Sequence, residues 1–238
     1  YLFNNRSTDD FTSVLQPYVQ NGEVELFDWP IKPKNIGEWN TIQCNAFNEA
    51  LKKASKAKYK WVACIDTDEY IVPKKHNSLV EMLKDYEDFG ALAINWQCFG
   101  HNNIQEVKPH QFLIELMTMR GIVTEGANIH IKCIVQPKAV KKYANPHFGV
   151  YKGGWQQVTT AKVPFQGPFS PSIDVSIAQI NHYWTRDILY METIKIPRRE
   201  EWGDNGDSVR FIAGDLFNRE EDLSIFPFLV KMKARLSQ

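Results

Sequence analysis

An α/β fold, with a mostly parallel central sheet flanked by helices, is predicted by three features of the first hundred residues. Apolar runs short enough to be strands occur at 1–3, 22–29, 61–65 and 91–96. Between them, the segments at 11–19, 43–57 and 79–86 repeat their apolar residues every three or four positions, the spacing of one helix face. Polar or capping residues punctuate the junctions. Strands that alternate with helices in this way build βαβ units, whose crossovers lay the strands parallel.

The elements follow in order. "YLF" opens as a strand and ends in the polar turn "NNRSTDD". Phe11, Val14, Leu15 and Tyr18 share a helical face, and Val24, Leu26 and Trp29 alternate loosely as a strand would. The clearest helix covers 43–57: Phe47, Ala50, Leu51 and Ala54 line one side, with Lys52, Lys53 and Lys56 off it. The strand at 61–65 comes next. Ser78 and Glu81 then form the S-x-x-E capping box of a helix carrying Leu79, Met82, Leu83 and Tyr86. "ALAINW" and "HIKCIVQP" (130–137) are further buried strands, the second stopped by Pro137. Pro146, Gly149, Gly153, Gly154, Pro164 and Gly167 predict a loop-rich C-terminal half, before helical spacing resumes at 185–196. No repeat or low-complexity tract divides the chain, so a single domain over 1–238 is expected.

Composition narrows the function classes. The 238 residues are 43% hydrophobic and 24% charged, and 28 Lys and Arg balance 28 Asp and Glu. A neutral chain offers no broad basic face, so nucleic acid is not an expected partner. Four cysteines stand singly with no CxxC pair; they read as small core residues, which favours a reducing, cytoplasmic setting. No apolar run approaches the length of a membrane span, and no signal peptide is visible. The chain begins with Tyr1 already inside a strand-like run, so a preceding strand or anchor, which would make it a Golgi-type membrane protein, is compatible with this reading.

"WVACIDTDEYIVP" (61–73) carries the chemistry. Asp66 and Asp68 are two apart at the end of an apolar strand, so in extended chain they project to one side. Ligands of open α/β sheets bind at that end of the strands. Two like charges side by side raise each other's pKa, and a hard divalent cation, Mn²⁺ or Mg²⁺, relieves the conflict. The bland alternative is a solvated strand end. An EF-hand would need Gly where Ile71 stands, and an aspartyl-phosphate hydrolase using Asp66 would need Thr or Val at Tyr70.

These residues resemble the "Wv-x-x-iD-x-DEf-v-P" segment of family-92 and related family-2-like glycosyltransferases of the GT-A fold. The resemblance continues through residues 1–30, through Gln43–Asn48, "NWQCFGHNN", "HIKCIVQP" and "INHYWTRDILYMETIKIPR". Asp187 replaces a usual Ser, His101 a usual small residue, and the family's first strand is missing. The resemblance implies a Rossmann-like GT-A fold and a metal-dependent, UDP-sugar-using hexosyltransferase that inverts at the anomeric carbon. The donor would be held by residues 1–95 and a glycan or glycoprotein acceptor by 96–238. A phosphohydrolase, or an inactive carbohydrate-binding protein on the same fold, is the alternative.

The resemblance also implies roles. Asp66 and Asp68 would hold the metal on the donor diphosphate, with His182 completing its shell and His147 a weaker candidate; the plain reading of His182 is a core histidine. Glu69 would orient the loop. Lys132, a charge within an apolar strand, needs a partner: a phosphate, the acidic cluster, or solvent if the strand alternates outward. Asn4, Asn5 and Ser7 either contact the nucleotide or form a polar turn, and Arg198 either closes over the diphosphate or ends a helix. Trp96, Phe99, His101 and Asn102 suit a sugar ring of the acceptor, with core packing as the alternative for the two aromatics. Glu115 is the first candidate for the general base, and Asp204 the second.

Overall fold

A computed structural model describes residues 1–236. β1 (Leu2–Asn4) and β2 (Leu26–Asp28) pair in parallel as a separate two-stranded sheet, with α1 (Phe11–Gln20) between them in the chain. α2 (Ile36–Lys56) starts seven residues earlier than its apolar spacing predicts. The Asn35 side chain accepts from the Glu38 N–H at 2.9 Å, and the Glu38 carboxylate reaches back to the Lys34 N–H at 2.9 Å. This reciprocal cap satisfies the first free amides and lets a polar first turn be helical.

The predicted strand over 61–65 is reduced to β3 (Val62–Ala63), and β4 (Glu69–Pro73) begins directly after the aspartates. Within 61–65 only Cys64 is fully buried. The D-x-D segment is therefore a turn between two strands and not the tip of a long one. α3 (Leu79–Leu83) carries the predicted cap, Ser78 Oγ accepting from the Glu81 N–H at 3.1 Å. β5 (Ala91–Cys98) then crosses the centre of the molecule.

α4 (Leu113–Leu116), β6 (Met119–Arg120), β7 (Ile131–Val135), β8 (Val140–Asn145) and β9 (Phe148–Tyr151) follow. β10 (Gln157–Val158), β11 (Pro164–Phe165) and β12 (Ala178–His182) complete the main sheet. α5 (Ile188–Tyr190) runs through a π-helical turn, Met191–Lys195, into α6 (Ile196–Glu201). α7 (Gly206–Phe211) passes through a second π turn, Ile212–Leu216. β13 (Glu220–Glu221) and α8 (Phe226–Leu236) end the described chain.

The expectation of a mostly parallel sheet is corrected. β5 is the hub of a seven-stranded mixed sheet. It runs antiparallel to β7 over 91–95 and parallel only to β10 and β12, with Ile180 opposite Trp96. β12 is antiparallel to β4, and β3 to β7. Parallel neighbours need a long crossover, usually helical. The chain between β5 and β7 holds no α-helix longer than the four-residue α4, and β7 runs antiparallel to β5.

The setting of β5 also explains why its first four residues, Ala91–Ile94, are all apolar. Ala91 and Ala93 pack with Cys44, Leu51, Cys64 and Cys133 on the α2 side, while Leu92 and Ile94 pack with Met82, Tyr86 and Ile180 on the other. Both faces of the strand are covered, so no polar alternation survives. All four cysteines are buried and unpaired. A third cluster joins Val72, Phe99, Met117 and Tyr183 to Ile225 and Leu229 from the C-terminal segment.

Candidate active site

One cleft of about 1150 Å³ opens over the D-x-D turn. The turn is closed by two bonds: the Glu69 N–H donates to the Asp66 carbonyl at 3.1 Å, and the Asp66 N–H donates to Glu69 Oε2 at 2.8 Å. Glu69 thus clasps the loop whose aspartates face the cleft. Lys132, fully buried on β7, sits behind it. Its ammonium lies 2.9 Å from Asp66 Oδ2 and 3.5 Å from Glu69 Oε2. Gln43, from α2, donates to Asp66 Oδ1.

Charge in this buried group is ordered by what surrounds it. Burial pushes the Glu69 carboxyl up to about 8, against the pull of Lys132, and the Asp66 charge adds to the rise. Burial also works against the Lys132 ammonium, but Asp66 and Glu69 outweigh it and hold its pKa above the usual lysine range. Lys132 is therefore a charged post under the turn, which answers the question its sequence position raised.

Asp68 points elsewhere. Its carbonyl accepts from the Tyr183 N–H at 2.9 Å, and its carboxylate Oδ1 lies 3.8 Å from His182 Nε2. The ladder between β12 and β4 sets this meeting, because His182 is the register partner of Glu69, next to Asp68 in the chain. Burial, reinforced by Lys195, drives His182 well below the ordinary histidine pKa, so its ring is neutral. Its Nδ1 is buried with no partner among the described residues. A neutral imidazole facing a half-open carboxylate is a donor set that fits Mn²⁺ or Mg²⁺ with phosphate oxygens filling the remaining positions. The Asp66 carboxylate oxygens accept from Gln43 and Lys132, and no cluster of three metal-binding side chains is assembled among the described residues.

Trp96 stands at the centre of an imidazole group. His130 stacks on it at 5.0 Å between centroids, His182 lies at 4.2 Å and His147 at 5.0 Å. Trp96 lines the cleft, as does His147. The π turn brings Lys195 to the cleft lining, which also includes Arg186, Arg198 and Arg199. The Lys195 ammonium donates to the Trp184 carbonyl and lies 4.0 Å from the Trp184 ring centroid. Burial brings its pKa down to about 7. Arg198 lies beside the Trp39–Trp202 pair, 5.8 and 5.5 Å from their rings, and its Nε is buried with no partner among the described residues.

Other sequence-named residues lie outside this arrangement. Phe99 is fully buried against Tyr183, in core and not at the cleft, because its neighbours Val72, Met117 and Ile114 surround it. His101 is buried and accepts from the Asn103 N–H at Nδ1. Asn102 donates to Leu116 and Thr118 and accepts from Met119, so its amide folds a left-handed turn. None of these three lines the cleft. Of the four residues named for the acceptor, Trp96 alone lines the cleft.

Glu115 pairs with Lys233 of α8, and Asp204 with Arg199; neither carboxylate lines the cleft. Asn4 accepts from the Ser7 N–H, making the polar turn, while Asn5 donates to the Trp29 and Ile31 carbonyls at the cleft margin. Lys195, Arg186, Trp39 and Trp202 were not singled out from sequence. Lys195 carried the same signal as Lys132, a lone cation amid apolar neighbours in "TIKIP".

No helix among the described residues is long and apolar enough to cross a membrane. No curated protein matches the chain. The model of glycosyltransferase family 92 matches residues 1–203, which contain the D-x-D turn, Lys132, His182 and the cationic π turn, and the chain belongs to that family: it is a glycosyltransferase.

Proposed function

We propose that the cleft binds a nucleotide sugar, most simply a UDP-sugar, and moves its hexose to a hydroxyl of a glycan or glycoprotein with inversion. The meeting of Asp68 with His182, in a cleft also lined by Lys195, Arg186, Arg198 and Arg199, carries this reading. A carboxylate–imidazole pair suits a divalent cation, and a cationic wall suits the diphosphate that the cation would share. Asp68 and His182 would hold Mn²⁺ or Mg²⁺, which when bound supplies positive charge to the departing diphosphate. Lys195 and Arg198 would donate to the phosphate oxygens, the Arg198 Nε being a buried donor in need of an acceptor.

Asp66, locked by Lys132 and Gln43, would position the turn. The same engagement disfavours Asp66 as the nucleophile of a phosphohydrolase, since an attacking carboxylate needs a free oxygen. Residues of both the 1–95 and 96–238 stretches line the cleft, consistent with a GT-A-type division into donor and acceptor halves.

The test is a thermal-shift panel of UDP-sugars with and without Mn²⁺, followed by UDP release. A shift that requires both components is expected, and Asp68→Asn should lower UDP release by at least about 10²-fold, equivalent to about 2.7 kcal/mol of barrier, with the apo fold intact. Undiminished release in Asp68→Asn would remove the metal role. A donor shift with no turnover against any acceptor would favour the inactive carbohydrate-binding alternative.

A further inference from the structure

The cleft contains no obvious carboxylate base. Among the described residues only Asp66, Asp68 and Glu69 supply carboxylates to its lining: Asp66 is engaged by Lys132 and Gln43, Glu69 by the Asp66 N–H, and Asp68 with His182 is assigned above to the cation. Lys195 is turned into the Trp184 carbonyl and ring. Outside these groups, His147 lines the cleft with an uncommitted lone pair. His147 follows Pro146, and its Nδ1 bonds to the Ile131 carbonyl at 2.9 Å. A carbonyl can only accept, so Nδ1 carries the proton and Nε2 is left as an acceptor. Nothing among the described residues pairs with Nε2. The ring edge is steadied by Trp96.

We propose that His147 is the general base of the transfer, its Nε2 taking the proton of the attacking acceptor hydroxyl. This rests on the donor reading above. The acceptor O–H proton moves to Nε2 and its oxygen forms the bond to the anomeric carbon. The pair of the broken anomeric C–O bond departs on the diphosphate, and the imidazolium returns its proton to water as products leave. An imidazole has an advantage over a carboxylate here, because it is uncharged before the step and does not repel the diphosphate. Burial, with Lys132 and His130 adding to it against the Ile131 bond and Asp66, lowers His147 to about 4. Its basicity then matches that of an ordinary carboxylate while its charge does not.

The test compares nucleophiles. His147→Asn keeps an N–H for the Ile131 carbonyl and removes the ring lone pair; His147→Gln serves the same comparison should the first variant not fold. UDP release from UDP-glucose, UDP-galactose and UDP-N-acetylglucosamine is measured with Mn²⁺ in water, and again with excess azide, which attacks without a proton to lose. The variant is expected to slow release in water about 10²-fold, to recover with azide, and to keep the Mn²⁺-dependent thermal shift with UDP. Equal losses in water and azide, with the UDP shift intact, would overturn the base role and leave the donor reading standing. Wild-type protein showing neither UDP shift nor UDP release would overturn the donor reading, and the base role with it.

Discussion

Glu69 opens β4 and closes the turn before it, so one buried side chain serves both the sheet and the site. Its raised pKa has a consequence for stability. The folded protein favours the neutral acid, so the stabilising contribution is present below the ordinary carboxyl value and is lost as pH rises from there through about 8. Glu69→Gln keeps an acceptor for the Asp66 N–H and cannot ionise. The difference in melting temperature, variant minus wild type, should therefore become more positive between about pH 5 and pH 8.5. Parallel pH curves for the two proteins would refute this. At this scale the sequence was informative about the acids and silent about their partners. Spacing brings Asp66 and Asp68 together, but Gln43 and Lys132 reach Asp66 from 23 and 66 positions away. Phe99 misleads for the opposite reason: an aromatic beside Gly100 suits a sugar platform or a core equally well, and only the packing of Tyr183 against it decides.

Among the elements, the π turn between α5 and α6 has the largest functional weight. An extra residue per turn rotates the side chains that follow, and such bulges concentrate at functional sites. Here the turn ends on Lys195, almost wholly buried yet at the cleft wall. Its amine is desolvated without a salt-bridge partner, so its presence is unfavourable to the fold and favourable to an anionic ligand. Lys195→Met should therefore separate the two effects. Calorimetry should show UDP binding with Mn²⁺ weakened by about 10-fold or more, the loss of a hydrogen bond to a charged group, while the apo melting temperature holds or rises. A fall in both would mark Lys195 as a structural residue. Because its pKa is lowered to about 7, the charge it lends to binding should grow as pH falls through that value. The caps at Asn35 and Ser78 illustrate how elements were legible: S-x-x-E at Ser78 is visible by its spacing, whereas the Asn35 cap precedes a polar first turn that apolar periodicity does not register.

Across the whole molecule, apolar runs located the strands, but connections set their directions. β5 and β7 were read from residues 91–96 and 130–137, whereas β12, with polar residues among its five, was not read as a strand, and no apolar run shows which neighbours are parallel and which antiparallel. The C-terminal segment then binds the sheet from outside. Arg120, paired with β13 in the backbone, holds Glu220 at 2.8 Å and Asp222 at 2.9 Å, and Ile225 and Leu229 enter the core beside Phe99. Gly100 makes this approach possible: a Cβ there would lie 2.1 Å from Asn218 Oδ1 and 2.8 Å from the Phe217 backbone. Gly100→Ala should cost about 1–3 kcal/mol in denaturant unfolding, as overpacking does, and should make residues 217–236 cleavable at lower protease doses. Equal stability of the two proteins would show that the segment can step aside freely.

The ladder that seats His182 opposite Glu69 imposes an arithmetic rule on the gene. Side chains on a strand face alternate sides, so pairing slipped by one residue turns each to the other face. A single codon gained or lost between Asp68 and the body of β4 would leave Asp68 and His182 both encoded and intact, yet point them apart. Lengthening by two would keep the side but shift the pair along the ladder by about 7 Å. The site thus depends on parity as much as on chemistry, and its coding length is constrained more tightly than the identity of Thr67, whose side chain takes part in none of the contacts that close the turn.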